Sequence, residues 1–256
     1  MLLRVGSDIQ REEVLCLFTE IGADLQSQSW VTSYPELLQQ AFFIFTQQLG
    51  VVGTPEEEDA FVTSIASWDL FPDSIRAVAT MCTQFRLVAL ANVDQTTYEF
   101  SRRRIDPSDI LSGAITVTSR FRPDPQSFVD TIVYCREQFD ASPEEILIVG
   151  SSLYHDLAPA WEMGLSVAWI SRDGAVVGSR QAQRAYGNRP CEIFSSLFGF
   201  AEWLTQRLTS AEGEPQSSST RHLAPITNVH TPLQDMSLRH LDSLSIGDLH
   251  LPVKTI

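Results

Sequence analysis

Apolar positions in the first quarter of the chain fall at helical spacing. In "REEVLCLFTEIGADL", Val14, Leu15, Leu17, Phe18, Ile21 and Leu25 recur at the three- and four-residue intervals that line one helix face. "SYPELLQQAFFIFTQQLG" opens with Ser33 as a cap and Pro35 in the first turn, and stops at Gly50. "TPEEEDAFVTSIASW" sets Thr54 ahead of Pro55 and three acids in the first turn, where the helix dipole favours negative charge. Residues 1–67 therefore read as a small all-helical unit. The period changes at "WDLFPDS". A helix over 73–84 is followed by "RLVALANVD" as a strand, then a helix with three arginines over 98–104. "GAITVTSR" reads as a strand, "RPDPQSFVDTIVYCREQF" as a loop and helix, "EILIVG" as a strand, "LAPAWEMG" as a helix and "SVAWIS" as a strand; "SSLFGFAEWLTQRL" closes the series with an amphipathic helix. Strands alternating with helices at this spacing predict βαβ units and a parallel sheet covered on both faces over 68–209. From Ser210 the pattern dissolves. "SAEGEPQSSSTRHLAPITNVHTPLQ" is rich in Ser, Pro, Thr and Gly and predicts a disordered tail over 210–256.

Composition narrows the class. With 256 residues and 43% hydrophobic content, the chain suits one sizeable domain with a smaller insert or cap. A formal net charge of −14 argues against nucleic acid or an anionic membrane as a partner. No apolar run approaches the roughly 18 residues that a membrane span needs. The opening "MLLRVGSDIQREEV" is too short and too soon charged for a secretory signal. Cys16, Cys82, Cys135 and Cys191 are widely spaced, without a CxxC or a Cys/His cluster, and fit reduced thiols in a cytoplasmic protein. Four of the five histidines are scattered through the tail, a poor arrangement for a metal site.

Ligands of open parallel sheets bind beyond the carboxyl ends of the strands. Asn92 and Asp94 follow the first strand, Arg120 and Arg122 the second, Ser151, Ser152, Tyr154, His155 and Asp156 the third, and Arg172 and Asp173 the fourth. Asn, Arg and Asp on three strand ends could converge on one small anion or carboxylate. Each has a blander reading. Asp156 stands ahead of "LAPAWEMG" as an N-cap would, Asn92 suits a turn, Arg122 a solvated surface, and His155 a packing role.

The stretches "SWDLFPDS", "LVALANVD", "FRPDP" and "VGSSLYHDLAPAWEMGLSVAWISRDG" resemble the haloacid dehalogenase superfamily, specifically its type II 2-haloacid dehalogenase-like branch in fungi, over residues 8–208. The resemblance implies an α/β fold with a doubly wound parallel sheet, a helical cap over 1–67 and a core over 68–209. It implies a hydrolase acting on a small carboxylate-bearing molecule, plausible as a step of fungal secondary metabolism. Such enzymes attack substrate with an aspartate from a first strand, then hydrolyse the resulting ester. Carried over position by position, the second-motif hydroxyl falls on Ala91 with Asn92 beside it, the third-motif lysine on Arg122, and the two fourth-motif acids on Ser151 and Asp156. The resemblance thus assigns Asp156 and Arg122 to catalysis and Asn92, Ser151 and Ser152 to substrate. One carboxylate is thin for Mg2+, so no metal and no other cofactor is expected. The family's Asp-x-x-Gly-Thr loop after an apolar strand has no counterpart in the sequence; "LLRVGSD" with Asp8 is a rudimentary candidate. Without that strand, the two inner strands of the sheet would face a gap, to be closed by its neighbours, the N-terminal residues or another chain. A chain truncated at its start explains the missing loop but not Ala91. The alternative is a catalytically inactive binding or scaffolding protein of the same fold. A homodimer through the cap or an exposed sheet edge is a reasonable assembly.

Overall fold

The structure is a computed structural model and describes residues 11–28, 33–172 and 191–212. The helical unit consists of α1 (Arg11–Gln28), α2 (Tyr34–Gln48) and α3 (Pro55–Thr63). Ser33 and Thr54 open α2 and α3 in full capping boxes: each hydroxyl accepts the backbone N–H of Glu36 or Glu57, and that glutamate accepts the cap residue's own N–H. The apolar stripes of α1 and α2 close on each other. Val14, Phe18, Ile21, Leu38, Ala41, Phe45 and Ile65 form a core of their own, with Phe18 edge-on to Phe45 and Phe61 at 6.0 and 5.5 Å.

The α/β part runs α4 (Ser74–Met81), β1 (Val88–Leu90), α5 (Gln95–Ile105), β2 (Gly113–Ile115), α6 (Gln126–Phe139), β3 (Leu147–Gly150), α7 (Ala158–Glu162), β4 (Ser166–Ile170), β5 (Glu192–Phe194) and α8 (Leu197–Glu212). All strand pairs are parallel, in the orders β1-β2 and β3-β4-β5. Side chains alternate across the layer. Leu87, Leu147, Val149, Ala168 and Ile170 pack with α4, α5 and α8 on one face. Leu90, Ile115, Ile146, Ile148 and Val167 pack with α6 and α7 on the other. Because residues of β1 and β3 enter the same two clusters in alternation, the two ladders lie in one doubly wound layer.

Between β1 and β3 no ladder forms among the described residues. Leu87 C=O and Ala91 N–H bond toward β2, to Ser112 N–H and Ile115 C=O. The alternation of a parallel strand then turns the polar groups of Val88 and Leu90 toward β3. The chain crosses from one face to the other here, since α5 covers the first face and α6 the second. This is the switch point of the sheet, where the fold opens a crevice at the strand ends.

Several boundaries differ from the sequence reading. The helix expected over 73–84 ends at Met81, and the strand expected in "GAITVTSR" pairs only over Gly113–Ile115. The rest of that stretch forms the lip, tied to the first strand end by Val117 N–H to Val93 C=O. The strand β5 was missed because three residues carry too little periodicity. Helix α8 runs on to Glu212, into the segment assigned to the tail; residues 213–256, with the four tail histidines, lie outside the described residues, as do Asp8 and Asp173. No described helix is long and apolar enough to cross a membrane.

The helical unit docks on α5 at two points. Asp94 Oδ2 accepts the backbone N–H of Tyr34, the first residue of α2, at 2.8 Å. At the other end of α5, Arg104 donates to the Trp68 and Ala66 carbonyls and pairs with Asp69 at 3.1 Å. The Tyr34 ring packs both in the helical core and against Ala89, Ala91, Val93 and Tyr98, and lies edge-on to Trp68. Burial raises its phenol to about 12.

Candidate active site

At the end of β3 the chain turns at once into a single π-helical turn, Leu153–Leu157. The wider turn swings Asp156 back under the strand end, which is why it does not cap the following helix. Its Oδ2 accepts the Ser152 N–H at 3.1 Å, and the carboxylate lies against Gly150. A Cβ on Gly150 would sit 2.8 Å from Asp156 Oδ2, so the glycine that stops the apolar run makes room for the acid.

Arg122 meets this carboxylate. Its Nη1 lies 2.9 Å from Asp156 Oδ1, with side chains only 4% and 2% exposed. Nη2 donates to the Leu90 carbonyl at 2.9 Å, one of the groups that faces the crevice. The guanidinium therefore ties the end of β1 to the end of β3. Burial pushes its pKa down, and the Asp156 charge opposes that shift. Of the five N–H donors of the guanidinium, one is spent on the Leu90 carbonyl, and the contact with Asp156 is an ion pair.

Asn92 holds Arg122 by its backbone. Asn92 Oδ1 accepts the Arg122 N–H at 2.7 Å, and Nδ2 donates to the Arg122 carbonyl at 3.3 Å. Ser152 is buried; its hydroxyl accepts the His155 N–H at 3.1 Å and lies 3.2 Å from His155 Nδ1. Ser151 stands next to this group, half-buried, with its carbonyl accepting Trp169 Nε1–H at 3.2 Å. Ala91 is buried, its N–H spent on Ile115 C=O. Beside Arg122, a shallow depression open to solvent is lined by Asn92, Thr118, Ser119, Arg120, Arg122 and Asp130.

The structure thus brings Asn92, Arg122, Ser152 and Asp156 into one connected group with Ser151 alongside. It takes Arg172 elsewhere: that guanidinium binds Asp73 at 2.7 Å and lies 4.0 Å above the Phe71 ring. Sequence reasoning missed the Leu90 carbonyl, because a backbone acceptor leaves no side-chain signal. It also missed the place of Gly150, although the abrupt stop of "ILIVG" was a usable sign. Asp156 Oδ1 already faces a guanidinium, and no three His, Cys, Asp or Glu side chains gather among the described residues.

The buried Arg122–Asp156 pair thus stands at the strand ends of a doubly wound sheet, and solved structures share this fold. The L-2-haloacid dehalogenase of Xanthobacter autotrophicus superposes with a TM-score of 0.61 at 15% identity, over 76% of this chain and 86% of that one. The same enzyme with chloropropionic acid covalently bound gives 0.61 at 15% identity, over 78% and 89%. The HAD-hydrolase YfnB of Bacillus subtilis, bound to magnesium, gives 0.57 at 15% identity, over 80% and 89%. No family model and no curated protein matches the sequence. The fold is that of the haloacid dehalogenase superfamily.

Proposed function

We propose that this protein is a haloacid dehalogenase-type hydrolase that acts on a small carboxylate-bearing molecule without a metal cofactor. The Arg122–Asp156 pair carries this reading. A buried ion pair is costly to place and weak as a source of stability, yet this one ties the carboxyl ends of β1 and β3, which no ladder joins among the described residues. The N–H donors of Arg122 that Leu90 and Asp156 do not take suit a planar carboxylate. Thr118 and Ser119 are among the residues that line the adjoining depression. With a net charge of −14, a small molecule is favoured over nucleic acid as the partner.

A second reading is a non-catalytic protein of this fold, favoured by Ala91 at the position where the family resemblance implies a hydroxyl. The two separate on one assay. The purified full chain is incubated with L-2-chloropropionate and, separately, with p-nitrophenyl phosphate, and released halide and phosphate are measured. The hydrolase reading expects halide release that falls at least about 100-fold in Arg122→Met and Asp156→Asn. Phosphate release without halide release removes the carboxylate substrate. No release of either from a folded chain leaves the non-catalytic reading.

A further inference from the structure

The turn after β1 has a hand on each side. Asn92 grips the peptide of Arg122 through both ends of its amide, at 2.7 and 3.3 Å. Two residues on, Asp94 grips the start of α2 through Tyr34 N–H at 2.8 Å, and at the same time caps α5 through Thr97 N–H at 3.0 Å and Thr97 Oγ1 at 2.8 Å. Between them Val93 is buried and its carbonyl accepts Val117 N–H, so the turn is packed rather than free. A displacement of the helical unit at Tyr34 must be taken up by Asp94, and through a rigid three-residue turn it reaches Asn92 and the Arg122 loop.

We propose that the Asn92–Asp94 turn is the connector through which docking of the helical unit sets the position of Arg122. Asn92 is then a positioning residue that acts through Arg122, and Asp94 is the point at which the helical unit enters the site. The coupling is a property of the folded chain and holds whether or not the site turns over.

Substitution at Asp94 can be made selective. Asparagine is as good an N-cap as aspartate, but an amide offers one acceptor where the carboxylate offers two. Tyr34 N–H and the Thr97 hydroxyl share Oδ2 while Thr97 N–H takes Oδ1, so Asp94→Asn with its one oxygen turned to the helix amide keeps the cap and gives up the Tyr34 link. Thr97→Val is the control, because it removes the hydroxyl bond to the same carboxylate and leaves the Tyr34 link in place. Amide hydrogen exchange of the full chain, resolved to single residues, reads both grips, since the Arg122 and Tyr34 amides are themselves the donors. Asn92→Ala is expected to speed exchange at Arg122 roughly tenfold, the loss of about one hydrogen bond. Asp94→Asn is expected to speed exchange at Tyr34 and, by several-fold, at Arg122 as well, while Thr97→Val leaves Arg122 within about twofold of the parent. Faster exchange at Tyr34 alone in Asp94→Asn would overturn the proposal, as would an Arg122 amide indifferent to Asn92→Ala or equally accelerated by Thr97→Val.

Discussion

Arg122 and Asp156 are each costly alone. Both are almost fully buried, and each is the other's charge partner. Asp156→Asn leaves a guanidinium facing a neutral amide in a dry site, a situation that typically costs roughly 3–5 kcal/mol. Arg122→Met takes the guanidinium away from Asp156 and leaves the Leu90 carbonyl without its side-chain donor. In the double variant Arg122→Met/Asp156→Leu neither charge remains, so the loss should be smaller than the sum of the two single losses. Urea unfolding of the four proteins measures this coupling; strict additivity would show that the pair does not act as a unit.

At the scale of elements, carboxylates tie segments together. Asp73 binds Arg172 beyond β4 at 2.7 Å and the Phe198 N–H at the start of α8 at 3.1 Å, so one side chain joins α4, β4 and α8. Burial works to raise the Asp73 pKa, but the Arg172 and Phe198 bonds outweigh it and hold the carboxyl below its ordinary range. Asp94 is alike: burial raises, and the Tyr34 and Thr97 bonds bring the net shift below the ordinary value. A carboxyl depressed in the folded state contributes stability that is complete above the unfolded value, about 4. That contribution is lost as pH falls through the folded value. Stability should therefore hold from neutral pH down to about 4 and fall below it, and Asp73→Asn should flatten the acid limb, a comparison that thermal melts at stepped pH can make. An acid limb of the same slope in the variant would remove Asp73 from the account. These ties were invisible in the sequence: Asp73 and Phe198 are 125 positions apart, and Tyr34 and Asp94 are 60. The helix starts at Ser33 and Thr54 were legible because a capping box is written within four consecutive residues.

For the whole molecule, the layer formed by the described residues has no ladder between β1 and β3. Ala91 bonds toward β2, whereas Leu90 turns its polar groups toward β3, where no strand of the described chain pairs with it. The Leu90 amide should then exchange at least about tenfold faster than that of Ala91, although the two are neighbours in one strand. Equal protection would mean that a further segment pairs along this edge. Two ladders hold together here because their side chains feed common clusters on both faces, and because Arg122 reaches from Leu90 to Asp156. That a side chain joins the carboxyl ends of β1 and β3 was not expected from the resemblance.

By itself the sequence determined what depends on neighbours along the chain. Helical and strand periods, helix caps, the α/β alternation and the placement of Asn92, Arg122, Ser151, Ser152 and Asp156 after strand ends are all local patterns. Tertiary structure decided which of those residues meet, and what each one holds. Asn92 grips a peptide 30 positions away, Arg122 bridges two ladders, and Arg172 leaves for Asp73. The physical reason is range. Periodicity and capping act over a few residues of backbone, whereas hydrogen bonds and ion pairs between strand ends exist only once packing has brought distant segments within about 3 Å.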